Sequence, residues 1–138
     1  MQAMGNGCCF VCGPNNDIGL QLNFGIDKIR RTASCETIVT EQYCGWSGFV
    51  HGGILASIID GAMVHACTSM DLACMTAELT IRYKKPVPLN TKINICATVK
   101  DLRTVLTYTI ATTEASINIE GKIVARAKAK MFVQKNLR

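Results

Sequence analysis

The stretch from Gly52 to about Met70 limits what this chain can fold into more than any other. Ile54, Leu55, Ile58, Ile59, Ala62, Met63, Ala66 and Cys67 recur at the i, i+3, i+4 and i+7 spacing of a helix, and most positions between them are small or apolar too. A helix apolar nearly all round has to be enclosed. Lipid is a poor enclosure here, because the uninterrupted apolar part is short and Asp60, His65 and paired glycines are costly in a bilayer. The predicted helix is therefore the centre of a soluble core, and Asp60 inside it needs a reason.

Outside that helix the period drops to two. After the turn chemistry of CGPNND, Leu20, Leu22 and Phe24 alternate with Gln21 and Asn23 as a first strand, and SCETIVT returns as its hairpin partner past a charged turn at Lys28 to Arg31. Residues 41–50 read as a loop. Ala77, Leu79, Ile81 and Tyr83 then alternate with polar residues, as do Ile93, Ile95, Ala97 and Val99. Residues 105–120 read as one long strand, and Ile123, Ala125, Ala127, Ala129 and Met131 as the last. Hairpin-length connections imply antiparallel pairing. The expectation is an α+β fold, an antiparallel sheet of about five or six strands wrapped round one long central helix, in a single domain over residues 1–138. One sheet face cannot hide such a helix completely, so an oligomer is expected.

At 49% hydrophobic and 18% charged, the 138 residues suffice for a core without disulfide staples. Most of the eight cysteines are accordingly expected to be buried thiols. Cys9 and Cys12 form a CxxC, but without a second pair or a HxxxH neither a metal site nor a redox site is assigned to them. The opening MQAMGNGCCF lacks the pattern of a secretory leader, which points to the cytoplasm. The net charge of +5 gathers in three groups, Lys28, Arg30 and Arg31, then Arg82, Lys84 and Lys85, then Arg126, Lys128 and Lys130. A phosphorylated small molecule suits them better than nucleic acid, since no aromatic side chains are interleaved.

Three segments, CFVCGPNNDIGLQLNF, GWSGFVHGGILASIIDGAM and TAELTIRYKKPVPLNTKI, together resemble hotdog-fold acyl-CoA thioesterases, of the phenylacetate-pathway type within the 4-hydroxybenzoyl-CoA thioesterase-like group. The set that carries the resemblance is HGG, an aspartate nine residues after its histidine, and a later strand ending in aromatic-x-x-Pro. The resemblance implies dimers, or dimers of dimers, with active sites between subunits and acyl-CoA as substrate. No metal or separate cofactor is implied, coenzyme A being part of the substrate. It assigns the Gly52 N–H to polarising the thioester carbonyl, Asp60 of the other subunit to attack or to activating water, and Thr76 to holding that water. His51, Gly53, Cys44, Gly45 and Gln42 become substrate-binding candidates, and Arg82, Lys84 and Lys85 the first choice for the coenzyme A phosphates. Two positions depart from the relatives' pattern. Cys44 and Gly45 stand where many carry Gln, Asn or His, and Gly61 follows the aspartate where many have Glu.

The chemistry fits these roles. Thioester hydrolysis develops negative charge on the carbonyl oxygen, which free N–H groups at a helix start stabilise. Glycine admits a ligand close to the backbone. Gly52 and Asp60 lie roughly 12 Å apart along a helix, too far for one thioester to touch both in one subunit. An acyl-thioester hydratase or dehydratase and a non-catalytic acyl-CoA-binding module are the alternatives.

Overall fold

The helix predicted from periodicity runs from Gly52 to Thr68 (α1), and a sheet curls round it in the computed structural model, which describes residues 7–134. The strands are β1 (Gly25–Asp27), β2 (Thr32–Ile38), β3 (Ala73–Tyr83), β4 (Lys92–Val105), β5 (Tyr108–Ile119) and β6 (Lys122–Gln134). They form one antiparallel sheet in the order β1-β2-β4-β5-β6-β3. This is the α+β architecture expected. Residues 1–6, on which part of the leader reading rests, lie outside the described residues. Among those described, no helix is long and apolar enough to cross a membrane.

The alternating residues explain how closely helix and sheet approach. Ala97, Ala111, Ala115, Ala125, Ala127 and Ala129 line the inner face of the sheet, and their small side chains leave room for Ile58, Ile59 and Met63 of α1, all fully buried. At about 1.5–3 kcal/mol for each large apolar side chain removed from water, these contacts carry much of the driving force for folding.

Several expectations need correction. Leu20 to Phe24 is not a ladder strand; its backbone bonds instead to the preceding turn, Leu20 N–H to Phe10 O and Leu22 N–H to Val11 O, both at 2.8 Å. Leu22, Phe24 and Val11 are nevertheless buried, because this N-terminal arm lies across the side of α1 that the sheet leaves open. The chain thus hides most of the helix itself, and uncovered helix surface no longer argues for an oligomer. The single long strand over residues 105–120 is two elements, since the chain reverses at Leu106 and Thr107, with Leu106 at a positive φ of 57°, and Val105 ends β4. The cysteines are not mostly buried either. Only Cys35, Cys67 and Cys74 are, while Cys8, Cys9, Cys44 and Cys96 are exposed and Cys12 is half-buried.

The phase of β3 is also corrected. Ala77 was expected to face inward with Leu79, but the register with β6 shifts between Thr76 and Glu78. Thr76 pairs with buried Met131, Leu79 pairs with buried Ala129, and Ala77 is the extra residue of a bulge. A bulge flips the facing of every residue before it, so Thr76 turns toward the helix.

His65 belongs to the core, stacked on Phe24 with ring centroids 4.7 Å apart and its Nδ1 without a hydrogen-bond partner among the described residues. Burial pushes its imidazole below the ordinary value. The folded chain therefore resists a proton that the unfolded chain accepts below a pH of about 6.5. Stability is expected to be level above that pH and to fall as pH drops below it, until the folded imidazole itself protonates. Thermal denaturation from about pH 8 to pH 5 checks this, and a His65→Phe variant should show the flatter profile.

Candidate active site

The start of α1 is built by one histidine. His51 is the N-cap, and its Nδ1 accepts from the Gly53 N–H at 2.8 Å while its carbonyl accepts from Ile54 and Leu55 at 3.0 and 3.2 Å. Of the four N–H groups that precede the first ordinary helix bond, those of Gly53 and Ile54 are thereby satisfied and that of His51 bonds Tyr43 O at 2.9 Å. The fourth, that of Gly52, has no partner among the described residues.

The two glycines differ in why they are there. A β-carbon on Gly53 would meet His51 Nδ1 at 3.0 Å, so the cap itself crowds a side chain there. A β-carbon on Gly52 would meet only the Tyr83 ring, at an ordinary 3.7 Å, and the backbone of Gly52 is not in the left-handed region. Nothing inside the chain requires glycine at 52. What its missing side chain leaves open is a cleft of about 640 Å³ lined by Trp46, Phe49, Leu55 and Tyr83 and by Lys84 and Lys85.

Tyr83 was not singled out as a site residue from sequence, although it is the aromatic of the aromatic-x-x-Pro signal. Its hydroxyl donates to the Gly52 carbonyl at 2.8 Å, fixing the ring against the helix start. Burial pushes its phenol above the ordinary value, so the donor keeps its proton. Trp46 and Phe49 were likewise missed, because they sit in a loop without periodicity.

The loop before the helix is shaped by close packing. Gly45 N–H bonds Phe49 O at 3.0 Å, Cys44 bridges to Val50, and His51 N–H bonds Tyr43 O at 2.9 Å. A β-carbon on Gly45 would lie 3.1 Å from His51 Cα, which explains a glycine there on structural grounds alone. Gln42 lies in a short 3-10 turn, Glu41–Tyr43, where its Oε1 accepts from the Thr40 hydroxyl at 2.7 Å; it does not line the cleft.

Asp60 lies two turns further along α1. It is half-buried, on the helix face that also carries Gly53, Ser57 and Val64, and Thr76 donates its hydroxyl proton to Asp60 Oδ1 at 2.5 Å. The β3 bulge is what aims Thr76 there. Gly61 is glycine because a β-carbon would stand 2.7 Å from Val11 Cγ1 of the N-terminal arm. The arm therefore occupies the space that a side chain at position 61 would take.

Thus the structure brings Gly52, Lys84 and Lys85 together, and separately Asp60 and Thr76, but does not join the two sets within one chain. Arg82 belongs to neither. It points to the outer face of the sheet, directly opposite Arg126 in the β3–β6 register, in a groove of about 600 Å³ lined also by Lys84, Lys128 and Glu114. Parts of two of the three basic groups seen in sequence, Arg82 and Lys84 with Arg126 and Lys128, therefore share one surface. In the first group, Lys28 and Arg30 are engaged with Asp71 and Asp27 at 3.4 and 3.8 Å. Among the described residues no three of His, Cys, Asp or Glu gather in a group that could hold a metal ion.

Comparison with known proteins places this geometry. Residues 47–116, just over half of the chain, match the family model of the Thioesterase superfamily. Acyl-coenzyme A thioesterase THEM4 of Mus musculus is 51% identical over 45 residues, which are 33% of this chain and 19% of that protein. The match thus spans about a fifth of that relative's length. Acyl-coenzyme A thioesterase 13 of Mus musculus is 27% identical over 96 residues, 68% of this chain and 67% of that protein. Among solved structures, the E. coli PaaI protein from the phenylacetic acid degradation operon superposes with a TM-score of 0.73 at 24% identity, covering 82% of this chain and 83% of that one. The chain belongs to the thioesterase superfamily, and its single long helix in a curled antiparallel sheet is that superfamily's hotdog fold.

Proposed function

We propose that the protein is an acyl-CoA thioesterase, hydrolysing an acyl-CoA thioester to the free acid and coenzyme A. The observation that carries the reading is Gly52. Its N–H is the one left over at the helix start, and its lack of a side chain serves no purpose inside the chain except to open the cleft. A thioester carbonyl seated there would meet a preformed donor at the positive end of a helix dipole. Names of relatives at acyl-coenzyme A thioesterases support the same reading.

Asp60 supplies the other half, as nucleophile or as base for water, with Thr76 orienting the carboxylate or the water. Because Gly52 and Asp60 are roughly 12 Å apart along one helix, the reading requires a second copy of the chain whose Asp60 faces the first copy's Gly52. The open edge of the sheet at β3, with Met75, Ala77 and Glu78 exposed, offers the backbone groups for such pairing. A homodimer, or a dimer of dimers, follows from this requirement. Lys84 and Lys85, on the rim of the cleft, suit the phosphates of coenzyme A, while Arg82 would serve only a ligand that reaches round to the outer face. Water is the only co-reactant, so the reaction calls for no further cofactor.

Release of free thiol from a panel of acyl-CoAs tests the proposal. Turnover above background is expected, with Asp60→Asn slower by about 10²–10⁴-fold. Binding of acyl-CoA without thiol release would make the protein a binding module instead. A Gly52→Ala variant should denature at the same temperature as wild type or higher, alanine being the better helix former, yet turn over at least about tenfold more slowly because the β-carbon displaces the carbonyl. Replacing Lys85 with alanine should raise KM with kcat little changed, and the difference should shrink as salt is added. Steady-state kinetics at two ionic strengths measures it.

A further inference from the structure

The CxxC of the N-terminal arm has no part in the reaction proposed above, and its geometry is that of a reactive pair. Residues 9–13 form one turn closed by Gly13 N–H to Cys9 O at 2.8 Å, which sets Cys9 and Cys12 on the same side. A β-carbon on Gly13 would lie 2.3 Å from Gly7 O and 2.4 Å from Cys9 N, so the turn is wound tightly enough that only glycine can follow Cys12. The Val11 N–H donates to Cys9 Sγ at 3.4 Å. Cys9 is exposed and Cys12 half-buried behind it. Among the described residues neither joins a third side chain in a metal-holding group.

We propose that Cys9 and Cys12 form a thiol–disulfide exchange site for a small-molecule disulfide, with Cys9 attacking and Cys12 resolving. The Cys9 thiolate attacks one sulfur of the disulfide RSSR. A Cys9–SR bond forms, and one RS⁻ leaves with the electron pair and takes up a proton. Cys12, giving up its proton, then attacks the Cys9 sulfur and expels the second RS⁻. The protein pair is oxidised by two electrons, the small disulfide is reduced to two thiols, and both thiol protons end on the RSH products. A turn holds α-carbons three residues apart within about 7 Å, the span that a disulfide bridges.

The electrostatics are consistent with this division of labour. Partial burial pushes the Cys9 thiol up, but the backbone N–H groups of Cys12, Val11 and Gly13 and the Cys12 thiol together bring it below its ordinary value. Burial, with the hydrogen bond given to Cys9 and the charge there, pushes Cys12 up to about 11. The pair also sits close to the proposed chemistry without belonging to it, since Val11 between the two cysteines packs on Gly61, the neighbour of Asp60.

The test uses the reduced full chain, incubated with glutathione disulfide in one arm and coenzyme A disulfide in another, then quenched, alkylated and mapped by peptide mass spectrometry. Exposed Cys44 and Cys96 are internal references. The Cys9–Cys12 disulfide should accumulate at least about tenfold faster than either reference reacts, and the faster arm identifies the disulfide that the site favours. In Cys12→Ser the mixed disulfide should stay on Cys9, and in Cys9→Ser residue Cys12 should not react. If Cys9 reacts no faster than Cys44 and Cys96 in wild type in both arms, the proposal is overturned, whether or not the variants fold. Acyl-CoA turnover is not part of the readout, so loss of the thioesterase reading would leave this result intact.

Discussion

Enclosing α1 is the constraint on which the rest of the structure depends. Its buried positions run almost all round the helix, from Leu55 through Ile58, Ile59, Ala62 and Met63 to Ala66 and Cys67. A curled sheet can take only part of that circumference. The alanines of β5 and β6 let it approach closely on one side, and on the other the arm carrying Val11, Leu22 and Phe24 closes over the helix. What stays uncovered is narrow: the first turn, and the half-buried stripe through Ser57, Asp60 and Val64. Both places where the hydrolysis is proposed to act are gaps in one enclosure.

The enclosure was readable in the sequence because burial imposes a period. A 3.6-residue repeat and several period-two runs are each enough to name an element and its inner face, and α1 and the inner rows of β4 and β6 follow them. Non-periodic features were not readable. The arm kept the alternation of a strand, with Leu22 and Phe24 inward, because it is half-buried in the same way, but its hydrogen bonds go to the turn at Phe10 and Val11. The residues over 105–120 look continuous because a hairpin that reverses through Leu106 and Thr107 carries no Gly or Pro to mark it. The Arg82 and Arg126 surface depends on β3 pairing with β6, a contact across some 40 residues of chain that no local pattern reveals.

The site was legible unevenly for the same physical reason. HGG and Asp60 declare themselves as exceptions, a pair of glycines opening a helix and a charge inside an apolar run. Tyr83, Trp46 and Phe49 look like ordinary strand or loop residues until the fold places them round Gly52. Gly61 and Gly45 looked like missing functional groups, and the structure gives each a packing reason, against Val11 and His51 respectively. An absent side chain can mark either an opening for a ligand or a close approach of the chain to itself, and sequence does not separate the two. Here Gly45, Gly53 and Gly61 are the second kind, and the proposed function makes Gly52 the first.

The bulge in β3 ties the fold to Asp60. Without it, strict alternation from Leu79 and Ile81 would turn Ala77 inward and Thr76 out, and the carboxylate would face the strand with no hydroxyl in reach. The extra residue reverses the phase at one point, leaving the buried rows on either side intact: Cys74 and Met131 stay in the core and Thr76 bonds Asp60. Such a break weakens the ladder where it occurs and is tolerated best on an edge strand, which is where β3 lies. That same edge has unpaired backbone groups open to a second chain. A single local irregularity therefore supplies a partner for the helix carboxylate beside the surface from which a neighbour would approach. Asp60 is accommodated in an apolar helix because it sits in the enclosure's open stripe and has Thr76 for company.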